Sequence, residues 1–223
     1  METGKRVSRS YPERHQVIHA DATIACPPSS QRHRTTVNKV TGEIRHHRVD
    51  ADASNTVEGG GTTVYGNKFL SAAVRLANTP HSRVILGIES IRHKSAKRDP
   101  IRDDEGTAFI KLARRILNRA PGLRAITYDT ALRGVHRAPL IADGLLVFTR
   151  TEHLRQVPPD SHAGRRLKGF RQDSESQHSR FDQSYPHKRV PAYGANAALL
   201  IYIGYAWLSN SVTRAMIDLV PAA

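Results

Sequence analysis

Cysteine is nearly absent: Cys26 is the only one in 223 residues. No intramolecular disulfide and no zinc site built on several thiolates can form, which fits a reducing compartment. Long hydrophobic runs are missing too. The longest apolar stretch, Ala197 to Leu208, is shorter than the roughly 20 residues a bilayer crossing needs and is interrupted by Gly204. It is expected to form a buried helix. The first residues, Met1 to Val7, lack the apolar segment of a signal peptide, so a cytoplasmic location with no membrane partner is expected.

Acidic charge is scarce as well, with 20 Asp and Glu against 34 Lys and Arg, a formal net charge of +14. Such an excess favours a polyanionic partner, because each phosphate neutralised releases condensed counterions. A merely solubilising surface is the plainer alternative. The basic residues are spread through the chain and not gathered on one amphipathic helix, which argues against a membrane surface.

What remains reads as one α/β unit over residues 17 to 219, preceded by a polar connector at 1 to 16. Val17 to Ala25 is apolar enough for a buried strand and stops at Pro27-Pro28. Asp21 lies inside it, where a carboxylate is costly unless it is paired or binds a metal, or else faces solvent on an edge strand. Residues 29 to 63 are polar, rich in His, Arg and Gly, and read as an insertion outside the core; Asp50 and Asp52 within it stay in reserve for the role given to Asp21.

The pattern then predicts a hairpin from Val64 to Leu76 and Ser82 to Ile91, with Lys68 and Arg83 marking a solvent-facing or phosphate-facing side. After a basic loop at 92 to 102, Asp103-Asp104-Glu105 opens a helix, since carboxylates suit a helix N-terminus. Phe109, Leu112, Ala113, Ile116 and Leu117 give it one buried face. Pro121-Gly122 ends that helix, and a short strand through Ile126 and Tyr128 delivers Asp129 to a sheet edge, where open α/β sheets bind ligands. The plainer reading is that Asp129 caps the next turn.

A helix or turn at 136 to 142 leads to Leu145 to Phe148, suited to a buried parallel strand. Residues 152 to 169 read as a polar link. From Gly169 to Arg189 a helical stretch has a thin apolar face at Phe170, Ser174 or Gln177, and Phe181, with Glu175, His178 and Arg171 or Arg180 at helical neighbour spacing. After Pro191, Ala192 to Leu219 reads as a long apolar helix covering one side of the sheet.

Carboxylates from three distant segments, Asp21, Asp129 and Glu175, are thus expected at one sheet edge. Acids so placed repel one another unless a divalent cation lies between them, and Mg²⁺ suits hard oxygen ligands. Two such ions can hold the attacking and leaving oxygens of an in-line phosphoryl transfer.

Asp21-Ala22-Thr23, Tyr65-Gly66-Asn67-Lys68-Phe69, Tyr128-Asp129-x-Ala131-Leu132-Arg133-Gly134-Val135-His136, Asp173-x-Glu175-Ser176 and Gly204-Tyr205-Ala206-Trp207-x-x-Asn210 occur in that order. Together they resemble insertion-sequence transposases of the DDE type, especially transposase-like proteins of high-GC actinobacteria. The resemblance runs from about Val64 to the end. It implies an RNase H-like mixed sheet with flanking helices, Mg²⁺ as cofactor, Asp129 as second acid and Glu175 as third. The first acid is Asp21, or Asp50 or Asp52. DNA, meaning insertion-sequence ends and target, is the implied partner, with Lys68, Arg133, His136 and Arg171 as contacts and a homodimer as assembly. Little chain precedes Asp21, so a truncated copy is expected, and a non-catalytic DNA-binding remnant is the competing expectation. A structural or RNA-binding protein rests on charge alone.

Overall fold

The computed structural model describes residues 12–57, 61–79, 82–91, 104–129, 131–149 and 156–219. The basic loop at 92 to 102, the Pro80-His81 turn, Gly59-Gly60 and residues 1 to 11 of the expected connector lie outside them. The described residues form β1 (Val17–Ala25), β2 (Thr35–Val37), β3 (Ile44–His46), β4 (Ser54–Val57), β5 (Thr63–Arg75), β6 (Arg83–Ile91), α1 (Glu105–Arg119), β7 (Ala125–Thr127), α2 (Gly134–Ala142), β8 (Leu146–Phe148), α3 (His162–Gln183) and α4 (Ala195–Asp218).

The architecture is mixed α/β. Five strands run side by side in the order β6-β5-β1-β7-β8, and β4 lengthens the sheet by pairing with the start of β5. The first three are antiparallel, while β1, β7 and β8 are parallel. β1 has neighbours on both sides from Val17 to His19 and is buried along most of its length, while Asp21, half-buried, lies past the end of the β7 pairing and is paired with β5 alone. Even-numbered Ile18 and Ala20, with Leu70, Ala72 and Val74 of β5, pack against Phe109, Leu112 and Ile116 of α1 and Leu140 of α2. The odd-numbered face meets α3 through Val17, Leu167 and Phe170, and α3 with α4 through Phe69, Phe181 and Tyr202.

The hairpin is long, with a one-residue irregularity: Ala72 pairs with Gly87 but Ala73 with Ile85. α1 begins where its acids suggested. The Asp104 side chain accepts from the Thr107 N–H, and its apolar stripe is buried.

Three expectations need correction. The polar link is partly helix: α3 starts at His162, where Ser161 accepts from the Gly164 N–H. Ala163, Leu167 and Phe170 form a helical stripe there, interrupted in the sequence by Gly164, Gly169 and the basic residues Arg165, Arg166 and Lys168. Nor is α4 a buried helix. It packs against β6 and β5 at the sheet margin with Ala198, Tyr202, Ala206 and Thr213 buried, while Leu200, Ile203, Trp207 and Leu208 are exposed. Finally, the segment from 29 to 63 holds the small β2–β3 hairpin and β4, and Asp50 within it is only 2% exposed. Its Oδ2 accepts from Asn67 Nδ2 at 3.0 Å and from the Gly194 N–H at 2.9 Å, and Asp52 Oδ2 accepts from the Ala195 N–H at 2.9 Å. Both carboxylates therefore serve the start of α4, whose cap Gly194 has φ 88°.

α3 is fixed to the sheet by a buried ion triad. Asp173 Oδ1 accepts from Arg75 Nη1 at 2.7 Å and from Arg83 Nη2 at 2.9 Å. Removing the shared partner leaves two guanidinium groups unpaired in poorly solvated surroundings. Asp173→Ala is expected to destabilise the protein by about 3–5 kcal/mol, read as a lowered urea midpoint.

Candidate carboxylate site

The parallel register puts Val17 beside Ala125 and His19 beside Thr127. Continued by two residues, it brings Asp129 level with Asp21, and both lie on the sheet face that α3 covers. Asp21 is half-buried, opposite Ser71 on β5, and its Oδ1 accepts from the Ala22 N–H at 2.9 Å. Burial, and then the charge of Asp129, push its carboxyl up to about 7; the Ala22 N–H and Arg171 oppose this, and Glu105 adds to it. Asp129 also makes the turn that the plainer reading gave it, since its Oδ1 accepts from the Ala131 N–H at 2.8 Å.

Glu105 is the residue that sequence reasoning missed. It was read only as charge for a helix start. Yet its Oε1 accepts from the Tyr128 hydroxyl at 2.7 Å and its Oε2 from Lys68 Nζ at 2.5 Å. Burial and the Glu105, Asp129 and Asp21 charges raise the Tyr128 phenol well above its ordinary range, so it stays a donor. The signal was present in spacing alone: a first-turn acid on the helix that precedes the Asp129 strand.

The other expected residues are distributed as follows. Glu175 is half-exposed on α3, and its Oε1 lies 3.2 Å from Arg171 Nη2, one helical turn away. Arg171 therefore acts on Asp21 while paired with Glu175. Lys68 faces α1, engaged with Glu105, whereas Arg83 lies on the opposite face with Asp173, so the two do not share a side. Arg133 is exposed just before α2. His136 is buried: its Nδ1 accepts from the Arg133 N–H at 3.2 Å, and its Nε2 lies 3.2 Å from Asp104 Oδ1. That ring packs over Gly106, where a Cβ would come within 2.3 Å of it, and so joins α1 to α2 and does not reach outward as a phosphate contact. Asp50 and Asp52, the reserves for the role given to Asp21, are engaged at the start of α4.

Among the described residues, no group of three His, Cys, Asp or Glu side chains is arranged to hold a metal ion. The donor set at Asp21 and Asp129 nonetheless fits Mg²⁺, which is commonly bound by one or two carboxylates together with substrate phosphates. A proton held on Asp21 near neutrality is what a divalent cation would displace.

The raised Asp21 value has a consequence for stability. Its folded value, about 7, lies above its ordinary 3.8, so between these the folded chain holds the extra proton. Stability is expected to fall as pH rises from about 4 to 7 and to level off above. Asp21→Asn should stabilise by roughly 2–4 kcal/mol at pH 8 and by less than about 1 kcal/mol at pH 4, measured by urea titration at both. Comparison of the chain with protein-family models, with curated proteins and with solved structures found no match to any of them.

Proposed function

We propose that the chain is the RNase H-like catalytic part of a DDE-type insertion-sequence transposase, cleaving and joining DNA by Mg²⁺-dependent in-line phosphoryl transfer. The observation that carries this reading is the coupling of Asp21 on the central strand with Asp129 just beyond its parallel neighbour. The strand order, with an antiparallel hairpin on one side of β1 and parallel strands on the other, supports the fold assignment. The charge of +14 supports a DNA partner.

In this reading Asp21 and Asp129 hold the cation, which when bound neutralises phosphate charge and activates the attacking oxygen. Arg171, whose charge acts on Asp21, would bind a backbone phosphate, and Glu175, the third acid the resemblance implies, is its ion-pair partner one turn along. Tyr128 and Lys68 hold Glu105 in place beside the carboxylate pair. Exposed Arg133 lies beyond Asp129, available to the same strand. No helix among the described residues is long and apolar enough to cross a membrane.

A second reading has its own observation. Glu175 is paired with Arg171, and no three-acid group is assembled among the described residues. This favours a remnant that binds DNA without cutting it. Nicking of supercoiled plasmid separates the two. The transposase reading predicts Mg²⁺-dependent nicking that falls about 10²-fold or more in Asp21→Asn, Asp129→Asn and Glu175→Gln. Salt-sensitive binding with no nicking at any Mg²⁺ concentration would leave only the remnant.

A further inference from the structure

Across α3 from Asp21, at the end of the sheet where β1 begins and β5 meets β6, lies a cleft of about 970 Å³. Arg14, Arg75, Arg83, Arg165 and Arg166 line it. Among the described residues, two carboxylates answer these five guanidinium groups: Asp173 binds Arg75 and Arg83 through one oxygen, and Glu13 Oε2 lies 3.1 Å from Arg166 Nη2. Arg165 uses Nη1 on the Asp160 carbonyl, and Arg14 makes no carboxylate ion pair among the described residues. Burial and then the Arg75 charge lower the Arg14 value, Asp173 opposes them, and Arg166 and Arg83 add to the lowering. Arg83 Nε is buried with no hydrogen-bond partner.

The cleft is ordered from beneath by one ring. Phe170 is 4% exposed, and the guanidinium carbons of Arg14 and Arg166 lie 5.0 and 5.8 Å from its centroid. Contact with an aromatic face leaves the in-plane N–H donors of arginine available. Converging forked donors around uncompensated positive charge match phosphate, which accepts bidentate pairs and carries more charge than a carboxylate.

We propose that this cleft is a phosphate-binding site separate from the carboxylate pair, taking the phosphates of either a free phosphorylated molecule or a nucleic-acid strand. α3 divides the two sites: Asp173 lies on one flank of the helix, and Arg171 and Glu175 lie on the other. The site uses none of the acids, so it stands or falls independently of phosphoryl transfer.

Isothermal titration in EDTA tests it, with pyrophosphate, ATP and a short oligothymidylate as probes. Saturable binding of at least one probe is expected. It should weaken about tenfold or more in Arg14→Gln/Arg165→Gln/Arg166→Gln and stay within about twofold in Arg34→Gln/Arg119→Gln/Arg214→Gln, which removes the same charge elsewhere. Arg165→Glu alone, at an exposed helix position, should also weaken binding and guards against misfolding of the triple variant. Pyrophosphate or ATP binding at least as tightly as the oligonucleotide identifies a free ligand; binding of the oligonucleotide alone identifies a strand. No binding of any probe, equal losses in the two triple variants, or unchanged binding in Arg165→Glu overturns the proposal.

Discussion

A single carboxylate, that of Asp173, fixes the relation between the sheet and the helix that faces the candidate acids. Its two guanidinium partners come from the end of β5 and the start of β6, so the hairpin and α3 are held at one point. Apolar contacts at Leu167, Phe170 and Phe181 give α3 its affinity for the sheet but are non-directional. The ion triad sets the rotation of the helix about its axis. With Asp173 turned toward Arg75 and Arg83, helical geometry places Arg171 and Glu175 on the other flank, where the Arg171 charge reaches Asp21.

Strands and helices with strong periodicity were legible in the sequence. Val17 to Ala25 agrees with β1 at both ends, the hairpin and α1 fall within a few residues of expectation, and Leu146 to Phe148 is a parallel strand as its unbroken apolar run implied. Composition misled in opposite directions at the last two helices. The start of α3 carries two glycines and three Lys or Arg residues, and its stripe becomes visible only once Phe170 is counted with Ala163 and Leu167. In α4, apolar residues all round the helix suggested full burial, but the sheet margin covers one side only. The buried network of Asp50 was invisible because its partners, Asn67 and Gly194, are remote in sequence.

The electrostatics of the two ends of the sheet are opposite in kind. At Asp21, burial and the charges of Asp129 and Glu105 together favour the protonated carboxyl. Around Phe170 the like charges are positive, and the mutual repulsion acts on Arg14. Each cluster is destabilising in isolation and is tolerated because the surrounding core overdetermines its geometry. Paired sites of opposite sign on either flank of one helix give the molecule a polarity that its net charge alone does not convey.

The contacts of Asp50 and Asp52 with Gly194 and Ala195 clasp the chain's final helix from a point 144 and 143 residues upstream. Closing a longer flexible loop costs only slowly more entropy, so the stretch between β1 and Asp50 is free to lengthen or shorten. Its last few residues are not. A segment that looks dispensable by composition therefore ends in a latch on the first residues of that helix, whose later turns are held to β6 separately by Asn210 and Thr213.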